Sequence, residues 1–176
     1  MKILLLLTAA IFLFPSCSDE ATSPEEMDNN LIQNSSFEFN GSPSLRDWNV
    51  RGEVDFFVDT PPDGGRYSIG ITESWIEFNS VSYTLAALHG NRVYTLTCWA
   101  KSGGIPASIA FEVHNDTLVY SRVTEVTDTL WRSYTIDETV NGTRGETIKI
   151  FLKGSISQLL PSTTYYDRCT LTEIIQ

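Results

Sequence analysis

The segment "SWIEFNS", residues 74–80, places a tryptophan beside a carboxylate in an alternating pattern. Successive side chains of a strand face opposite sides of the sheet, so an inward and an outward set can be separated. An outward aromatic ring can stack on the apolar face of a sugar, while a neighbouring carboxylate accepts hydrogen bonds from its hydroxyls. The alternation predicts Ile76 and Phe78 in the core, with Trp75, Glu77 and Asn79 on the open face.

Three other segments repeat this alternation. The outward residues of "VYTLTCWAKS", "SIAFEVHN" and "TIKIFLKG" include Trp99, then Glu112 and His114, then Lys149 and Phe151. If all four strands belong to one sheet, its open face carries aromatic, acidic and basic side chains together. We therefore predict a face that binds an oligosaccharide or polysaccharide through Trp75, Glu77, Trp99, Glu112, His114, Lys149 and Phe151.

Several of these residues also have a purely structural interpretation. A loop could cover Trp99 or Phe151, and the segment before the domain, or a loop, could cover Trp75. His114 precedes the turn "ND" and could be a solvated loop residue. The aromatic rings therefore belong either to an open binding face or to packing beneath loops.

The outward carboxylates also raise the question of catalysis. Glycosidases hold two carboxylates roughly 5–10 Å apart, and Glu77 and Glu112 could form such a pair if their strands were neighbours. No glycosidase motif flanks either residue, and the chain has only two histidines, His89 and His114, with no Gly-x-Ser-x-Gly elbow. We predict a binding protein without catalytic activity.

Short strands are the elements that would position these residues. Beyond residue 30 there is little helical periodicity, and runs rich in β-branched and aromatic residues alternate with Gly, Pro, Asn and Asp clusters. This pattern is typical of an all-β protein, and we predict a two-sheet antiparallel jelly-roll sandwich. The predicted strands lie near Glu53–Val58, Tyr67–Thr72, Trp75–Thr84, Arg92–Ala100, Ala107–His114, Leu118–Val126, Trp131–Asp137, Thr147–Lys153 and Tyr165–Ile174.

The N-terminus has the layout of an export signal. Lys2 precedes an apolar run, residues 3–14, that is too short to span a bilayer as a mature helix. "LFPSC" resembles the lipobox of bacterial lipoproteins, with Cys17 as the lipidated residue, although Phe14 departs from the usual aliphatic residue. The alternative is an ordinary signal peptide with a structural Cys17. "SDE" directly after Cys17 resembles the export tag of some Gram-negative surface lipoproteins.

Three regions follow from this layout. We predict a lipoprotein signal peptide over residues 1–16, a flexible acidic tether over residues 17–30 and a β-sandwich domain over residues 31–176. The predicted location is the bacterial outer membrane, with the domain exposed at the cell surface.

The charge balance restricts the partners. Removing residues 1–16 removes only Lys2, which leaves 11 basic against 22 acidic residues and a net charge of −11. Such a surface repels phosphate backbones, so nucleic-acid binding is not expected. Membrane attachment is expected through acyl chains alone.

Two cysteines remain once Cys17 carries lipid. Cys98 and Cys169 both fall on core-facing positions of predicted strands. In an oxidising compartment they could form a disulfide, but two buried thiols are the simpler expectation. Neither cysteine has the spacing to histidine that a zinc site requires.

Six segments in order resemble one protein family, the carbohydrate-binding modules of the cellulose- and xylan-binding type: "NLIQNSSFE", "DWNV", "GGRYSIGI", "RVYTLTCWAKSG", "LWRSYTI" and "YYDRCTLTEI". The resemblance implies a galactose-binding-like jelly roll that binds glycans on its concave sheet face, with aromatic and acidic side chains. It also implies that Trp48 and Trp131, at positions often occupied by Trp in the family, belong to the core. Related domains also serve as adhesion and structural modules.

The resemblance further implies a structural calcium ion. In many relatives a glutamate equivalent to Glu38 and an acidic residue equivalent to Asp167 hold calcium, which prefers several hard oxygen ligands. This chain departs from the pattern at Arg168, where a second acidic residue is usual, and at Ser35 and Ser36, where glycines are usual. The alternative is a hydrogen bond or ion pair that joins the two ends of the domain, with Arg168 neutralising Asp167.

Two functions from different classes are therefore expected from this sequence. The first is a lipid-anchored, non-catalytic module that holds a glycan on one sheet face by aromatic stacking and hydrogen bonding. The second is a cell-surface adhesion or scaffold module whose face binds a protein rather than a glycan.

Overall fold

A computed structural model of the chain describes residues 29–72, 78–142, 145–155 and 161–175. No helix in these ranges has the length and apolar character needed to cross a bilayer. The regular elements are β1 (Glu38–Phe39), β2 (Ser42–Pro43), β3 (Asn49–Arg51), β4 (Val54–Phe57), β5 (Ser68–Thr72), β6 (Ser80–Ala86), β7 (Gly90–Lys101), β8 (Ala107–Asn115), β9 (Thr117–Val126), β10 (Arg132–Gly142), β11 (Thr147–Lys153) and β12 (Thr163–Ile175).

Ten of these strands form two five-stranded antiparallel sheets. The first sheet has the order β10-β7-β12-β5-β4, and the second has the order β3-β6-β11-β8-β9. The remaining strands, β1 and β2, pair only with each other. The predicted all-β, antiparallel two-sheet sandwich is therefore confirmed.

The predicted strands correspond in order to β4 through β12. The three strands that the sequence does not predict, β1 to β3, have only two or three residues each and carry no alternating run. Two boundaries differ by five residues. The strand predicted from Trp75 begins at Ser80 as β6, with residues 73–77 outside the described ranges, and the strand predicted to end at Asp137 continues to Gly142 as β10.

The core lies between the sheets and is formed by alternate residues of the long strands. On β11, Ile148, Ile150 and Leu152 are completely buried. Trp48 is also buried, 5.0 Å from Phe37 and 5.2 Å from Tyr83 between ring centroids, so its assignment to the core is confirmed.

Polar contacts connect the two sheets at two places. Tyr166 of β12 is completely buried, and its hydroxyl donates a 2.6 Å hydrogen bond to the backbone carbonyl of Lys153 at the end of β11. At the edge of the sandwich, Arg122 Nε of β9 lies 3.1 Å from Glu138 Oε1 of β10. The first contact satisfies a hydroxyl that would be costly to bury alone.

A disulfide joins Cys98 of β7 to Cys169 of β12, neighbouring strands of the first sheet. Pairing continues from Asp167 opposite Trp99 to Thr170 opposite Thr97, so residues 168 and 169 together oppose Cys98. This is a β-bulge, and Arg168 adopts a left-handed φ of 45° within it. The bulge lets Cys169 face the core beside Cys98, and the expectation of two free thiols is wrong.

Removing this disulfide should weaken the fold. It closes a chain segment with a sequence separation of 71 residues, and the Cys98→Ala/Cys169→Ala variant should lose about 2–4 kcal/mol of unfolding free energy because its unfolded chain is less restricted. Urea denaturation of the variant and of the wild-type protein, each with and without dithiothreitol, measures this loss. Equal midpoints for all four samples would contradict the prediction.

Candidate functional site

The outer face of the second sheet carries four of the predicted ligand residues. Because the even-numbered residues of β11 are buried, Lys149 and Phe151 point away from the core. The register places Lys149 opposite Glu112 of β8, and His114 lies two residues further along β8 on the same side. The structure therefore brings Glu112, His114, Lys149 and Phe151 together.

A polar network surrounds Glu112, whose side chain is only 13% exposed. His114 Nε2 lies 2.9 Å from one carboxylate oxygen, and Lys153 Nζ lies 3.6 Å from the other. Lys153 Nζ is also 5.1 Å from the centroid of the Phe151 ring, within the range of a cation–π contact. His114 thus contacts a carboxylate on this face and is not a solvated turn residue.

A groove of about 720 Å³ opens beside Phe151. The residues opposite Phe151 on the neighbouring strands are small, Ala110 on β8 and Ser82 on β6, so no bulky side chain flanks the ring there. The groove contains apolar, aromatic and charged side chains: Arg51, Phe78, Val123, Glu125, Phe151 and Lys153.

Phe78 and Asn79 occupy the reverse of their predicted positions. Phe78 was expected in the core but is 65% exposed at the groove, and Asn79 was expected on the open face but is buried. The Asn79 side chain donates a 2.6 Å hydrogen bond to the carbonyl of Thr72, which anchors it inward before β6 begins. Phe78 is the aromatic groove residue that the alternation missed, whereas Trp75 and Glu77 lie outside the described residues.

Trp99 does not join this face. It belongs to β7 and therefore to the first sheet, where its neighbours across the strands are Ser133 and Asp167. Alternation places the residue correctly on an outer face, but it cannot tell which sheet contains the strand. The predicted grouping of Trp99 with Phe151 is wrong.

Trp131 is not a core residue either, because it is only half-buried. Its indole Nε1 donates a 3.0 Å hydrogen bond to Asp59, and Asp59 also accepts a hydrogen bond from Lys101. The Lys101 ammonium lies 4.5 Å from the ring centroid of Tyr165. The hydrogen bond from Lys101, followed by that from Trp131, lowers the pKa of Asp59. On the outer face of the first sheet, these groups therefore form hydrogen bonds and a cation–π contact with one another.

Glu38 and Asp167 approach the same loop, residues 61–67. One oxygen of Glu38 accepts hydrogen bonds from the backbone N–H groups of Arg66 and Tyr67, which join Glu38 to this loop. A Cβ atom on Gly64 would lie 2.6 Å from Asp167 Oδ2, which shows how closely the loop backbone approaches this carboxylate.

The donor set around these carboxylates fits a calcium ion. Asp167 is completely buried, and its Oδ2 has no hydrogen-bond partner among the described residues. The Arg168 guanidinium donates to the carbonyl of Asp63 at 2.5 Å and forms no ion pair with Asp167, although its charge partly offsets the rise in the pKa of Asp167. Glu38, Asp167 and nearby backbone carbonyls would be hard oxygen ligands. No described group of three or more His, Cys, Asp or Glu residues forms a metal-binding cluster, so carbonyls would have to complete the shell.

The buried environment of Asp167 raises the pKa of its carboxyl group. Burial raises the pKa of Asp167 to about 7, and the adjacent Glu38 carboxylate adds to the rise. A buried carboxylate with an unpaired oxygen is costly to ionise, because the charged form loses hydration. A bound cation would offset this cost.

Comparisons with known proteins identify structural relatives only. No model of a known protein family matches the sequence, and no curated protein matches it.

Among solved structures, the enzymatically active domain of bacteriophage CBA120 tailspike protein 4 is similar, with 16% identity and a TM-score of 0.64 over 82% of this chain and 21% of that chain. TmCBM61 in complex with β-1,4-galactotriose is 19% identical, with a TM-score of 0.57 over 82% of this chain and 99% of that chain. The CBM22-1 xylan-binding domain of Paenibacillus barcinonensis Xyn10C is 20% identical, with a TM-score of 0.53 over 81% of this chain and 93% of that chain.

These likenesses establish the fold. The chain has the jelly-roll sandwich of the carbohydrate-binding modules, as predicted. It spans about one fifth of the tailspike chain but nearly all of the two module chains.

The stability of the metal-free protein should depend on Asp167 in a defined direction. Its folded pKa of about 7 lies above the ordinary value of 3.8, so the folded state binds this proton more tightly than the unfolded chain does. Its contribution to stability is present at low pH and is lost as pH rises through 7, at about 1.4 kcal/mol for each unit of the pKa difference.

Thermal unfolding of the wild-type protein and of Asp167→Asn, with chelator and with calcium, measures this contribution. With chelator, the stability of the wild-type protein relative to Asp167→Asn should fall between about pH 4 and pH 7. Calcium at pH 8 should stabilise the wild-type protein and not the variant. Asp55→Asn, on exposed β4, is the matched control. Parallel stability curves for all three proteins would contradict the assignment.

Proposed function

We propose that this domain is a non-catalytic glycan-binding module that holds an oligosaccharide or polysaccharide on the outer face of its second sheet. The observation that carries the proposal is the groove beside Phe151, because it combines accessible aromatic rings with an ordered set of polar groups. The jelly-roll fold supports it, since one similar structure is described as a complex with β-1,4-galactotriose and another as a xylan-binding domain.

The binding mechanism follows from the chemistry of the face. A sugar presents apolar C–H groups above and below its ring and hydroxyls around its rim. Phe151 and Phe78 would stack on the ring, whereas Glu112 would accept and Lys149 would donate hydrogen bonds at the rim. His114 and Lys153 hold the Glu112 carboxylate in position before the ligand arrives, which limits the entropy lost on binding.

The described carboxylates of this face are poorly placed for hydrolysis. Glu112 lies opposite Ser121, and Glu125 lies opposite Ser108, so the two are four residues apart along neighbouring strands. Their backbones are therefore roughly 14 Å apart at about 3.4 Å per residue, and the Glu112 carboxylate is already engaged by His114 and Lys153. Binding without bond cleavage is therefore the activity that this face supports.

The sequence before the domain suggests where binding takes place. We propose that Cys17 is lipidated and that residues 17–30 tether the domain to the bacterial outer membrane, facing the cell surface. A structural calcium ion held by Glu38 and Asp167 would stabilise the edge of the sandwich away from the groove.

Substitution of Phe151 tests the binding face. Phe151→Ala should lower the affinity for a bound glycan by about tenfold or more, because a stacked ring is worth roughly 1.4 kcal/mol. Trp75→Ala should also lower it if this residue lies on the same face. Trp99→Ala, on the other sheet, is the matched control and should bind as the wild-type protein does.

A glycan array followed by isothermal titration calorimetry measures these affinities. A folded wild-type protein that binds no glycan on the array would overturn the proposed function and favour a protein ligand. Equal losses for Phe151→Ala and Trp99→Ala would remove the assignment to the second sheet.

A further inference from the structure

Basic side chains are concentrated at the candidate site of an acidic protein. The chain has 12 basic against 22 acidic residues, yet three basic side chains lie together on the outer face of the second sheet. Lys149 and Lys153 stand on either side of Phe151 along β11, and Arg51 at the end of β3 lines the groove.

Two of these three basic side chains have no acidic partner. Several cationic groups elsewhere are paired, as Arg92 is with Glu173 and Arg122 with Glu138. No carboxylate of the described residues lies within ion-pair distance of Lys149 or Arg51. Their charges are therefore available to a ligand.

The described acidic side chains of the face neutralise Lys153 but leave Lys149 and Arg51 unpaired. The two oxygens of Glu112 already face His114 and Lys153, at 2.9 and 3.6 Å. Glu125 lies at the far end of the groove, on the edge strand β9. Among the described residues, the face thus carries more basic than acidic groups, whereas the whole chain has a net charge of −10.

We propose that the groove binds an anionic glycan, whose sugars carry carboxylate or sulfate groups; this inference rests on the proposed function. Phe151 stacks on a sugar ring, and the ammonium group of Lys149 meets an oxyanion beside it, whereas Lys153 stays paired with Glu112. Lys149 lies two residues from Phe151 on the same side of β11, so the glycan chain runs along this strand. Arg51 lies across β6 and meets the same chain from the side.

Electrostatic screening makes the charges inside the groove more important for ligand binding than the acidic surface elsewhere on the domain. At physiological ionic strength the screening length is about 8 Å, so the acidic surface elsewhere on the domain repels the ligand only weakly. Ion pairs formed at hydrogen-bond distance inside the groove are screened less, and charged hydrogen bonds are stronger than neutral ones. A polyanion should therefore bind at this face and not elsewhere on the domain.

Two pairs of glycans that differ only in charge test the inference. The first pair is oligogalacturonate and its methyl-esterified form, and the second is dextran sulfate and dextran. Biolayer interferometry at physiological ionic strength measures binding of the wild-type protein to each. We expect tighter binding to the charged member of at least one pair, and the pair that responds distinguishes carboxylate from sulfate recognition.

Single charge-removing variants locate the contacts. Lys149→Gln and Arg51→Gln should each weaken binding to the charged glycan by about fivefold, and more than they weaken binding to its neutral partner. Arg132→Gln, which removes the same charge from an exposed position on β10 of the first sheet, is the matched control. Thermal unfolding checks that all three variants remain folded.

Each outcome has a defined meaning. Equal affinity for charged and neutral glycans would overturn the anionic ligand and leave the proposed function intact, whereas binding to no glycan would overturn the proposed function itself. Charged-glycan binding that survives both Lys149→Gln and Arg51→Gln, or that Arg132→Gln weakens as much, would show a nonspecific interaction and overturn the inference.

Discussion

The candidate site depends on the burial of one side of β11. Its three aliphatic residues are completely enclosed between the sheets, and burial of such side chains stabilises a fold by roughly 1.5–3 kcal/mol each. Because side chains alternate along a strand, holding these residues inward also holds Lys149, Phe151 and Lys153 outward. The hydrogen bond from Tyr166 to the Lys153 carbonyl fixes the end of the same strand. The backbone that carries the binding row is therefore held by the core beneath it.

The two outer faces of the sandwich differ in how their polar groups are satisfied. On the first sheet, Asp59, Lys101 and Trp131 contact one another and leave little unpaired charge. On the second sheet, Lys149 lies opposite Glu112 without forming an ion pair, because that carboxylate already contacts His114 and Lys153. Aromatic and charged residues occur on both faces, so their number alone does not identify a site. What distinguishes the second sheet is that Lys149 and Arg51 on its outer face have no acidic partner among the described residues.

Alternation in the sequence is enough to predict most of the strands and the outward direction of Glu112 and Phe151. It predicts these features because residues two apart along a strand face the same side, so an alternating apolar pattern shows which side is buried. Sheet membership is decided by pairing between distant segments, which is why Trp99 was assigned to the wrong sheet. The start of a strand depends on single hydrogen bonds such as that from Asn79 to Thr72, and a shift of one residue exchanges the positions of Phe78 and Asn79.

The bulge at Arg168 divides β12 into two pleated segments of opposite phase. Before it, even-numbered Tyr166 faces the core; after it, odd-numbered Cys169 and Leu171 do. The half of the strand that carries Asp167 can therefore gain or lose residues without changing which side chains the other half buries, provided that the bulge absorbs the difference. Evolution could in this way alter the Glu38–Asp167 end of the domain independently of the disulfide.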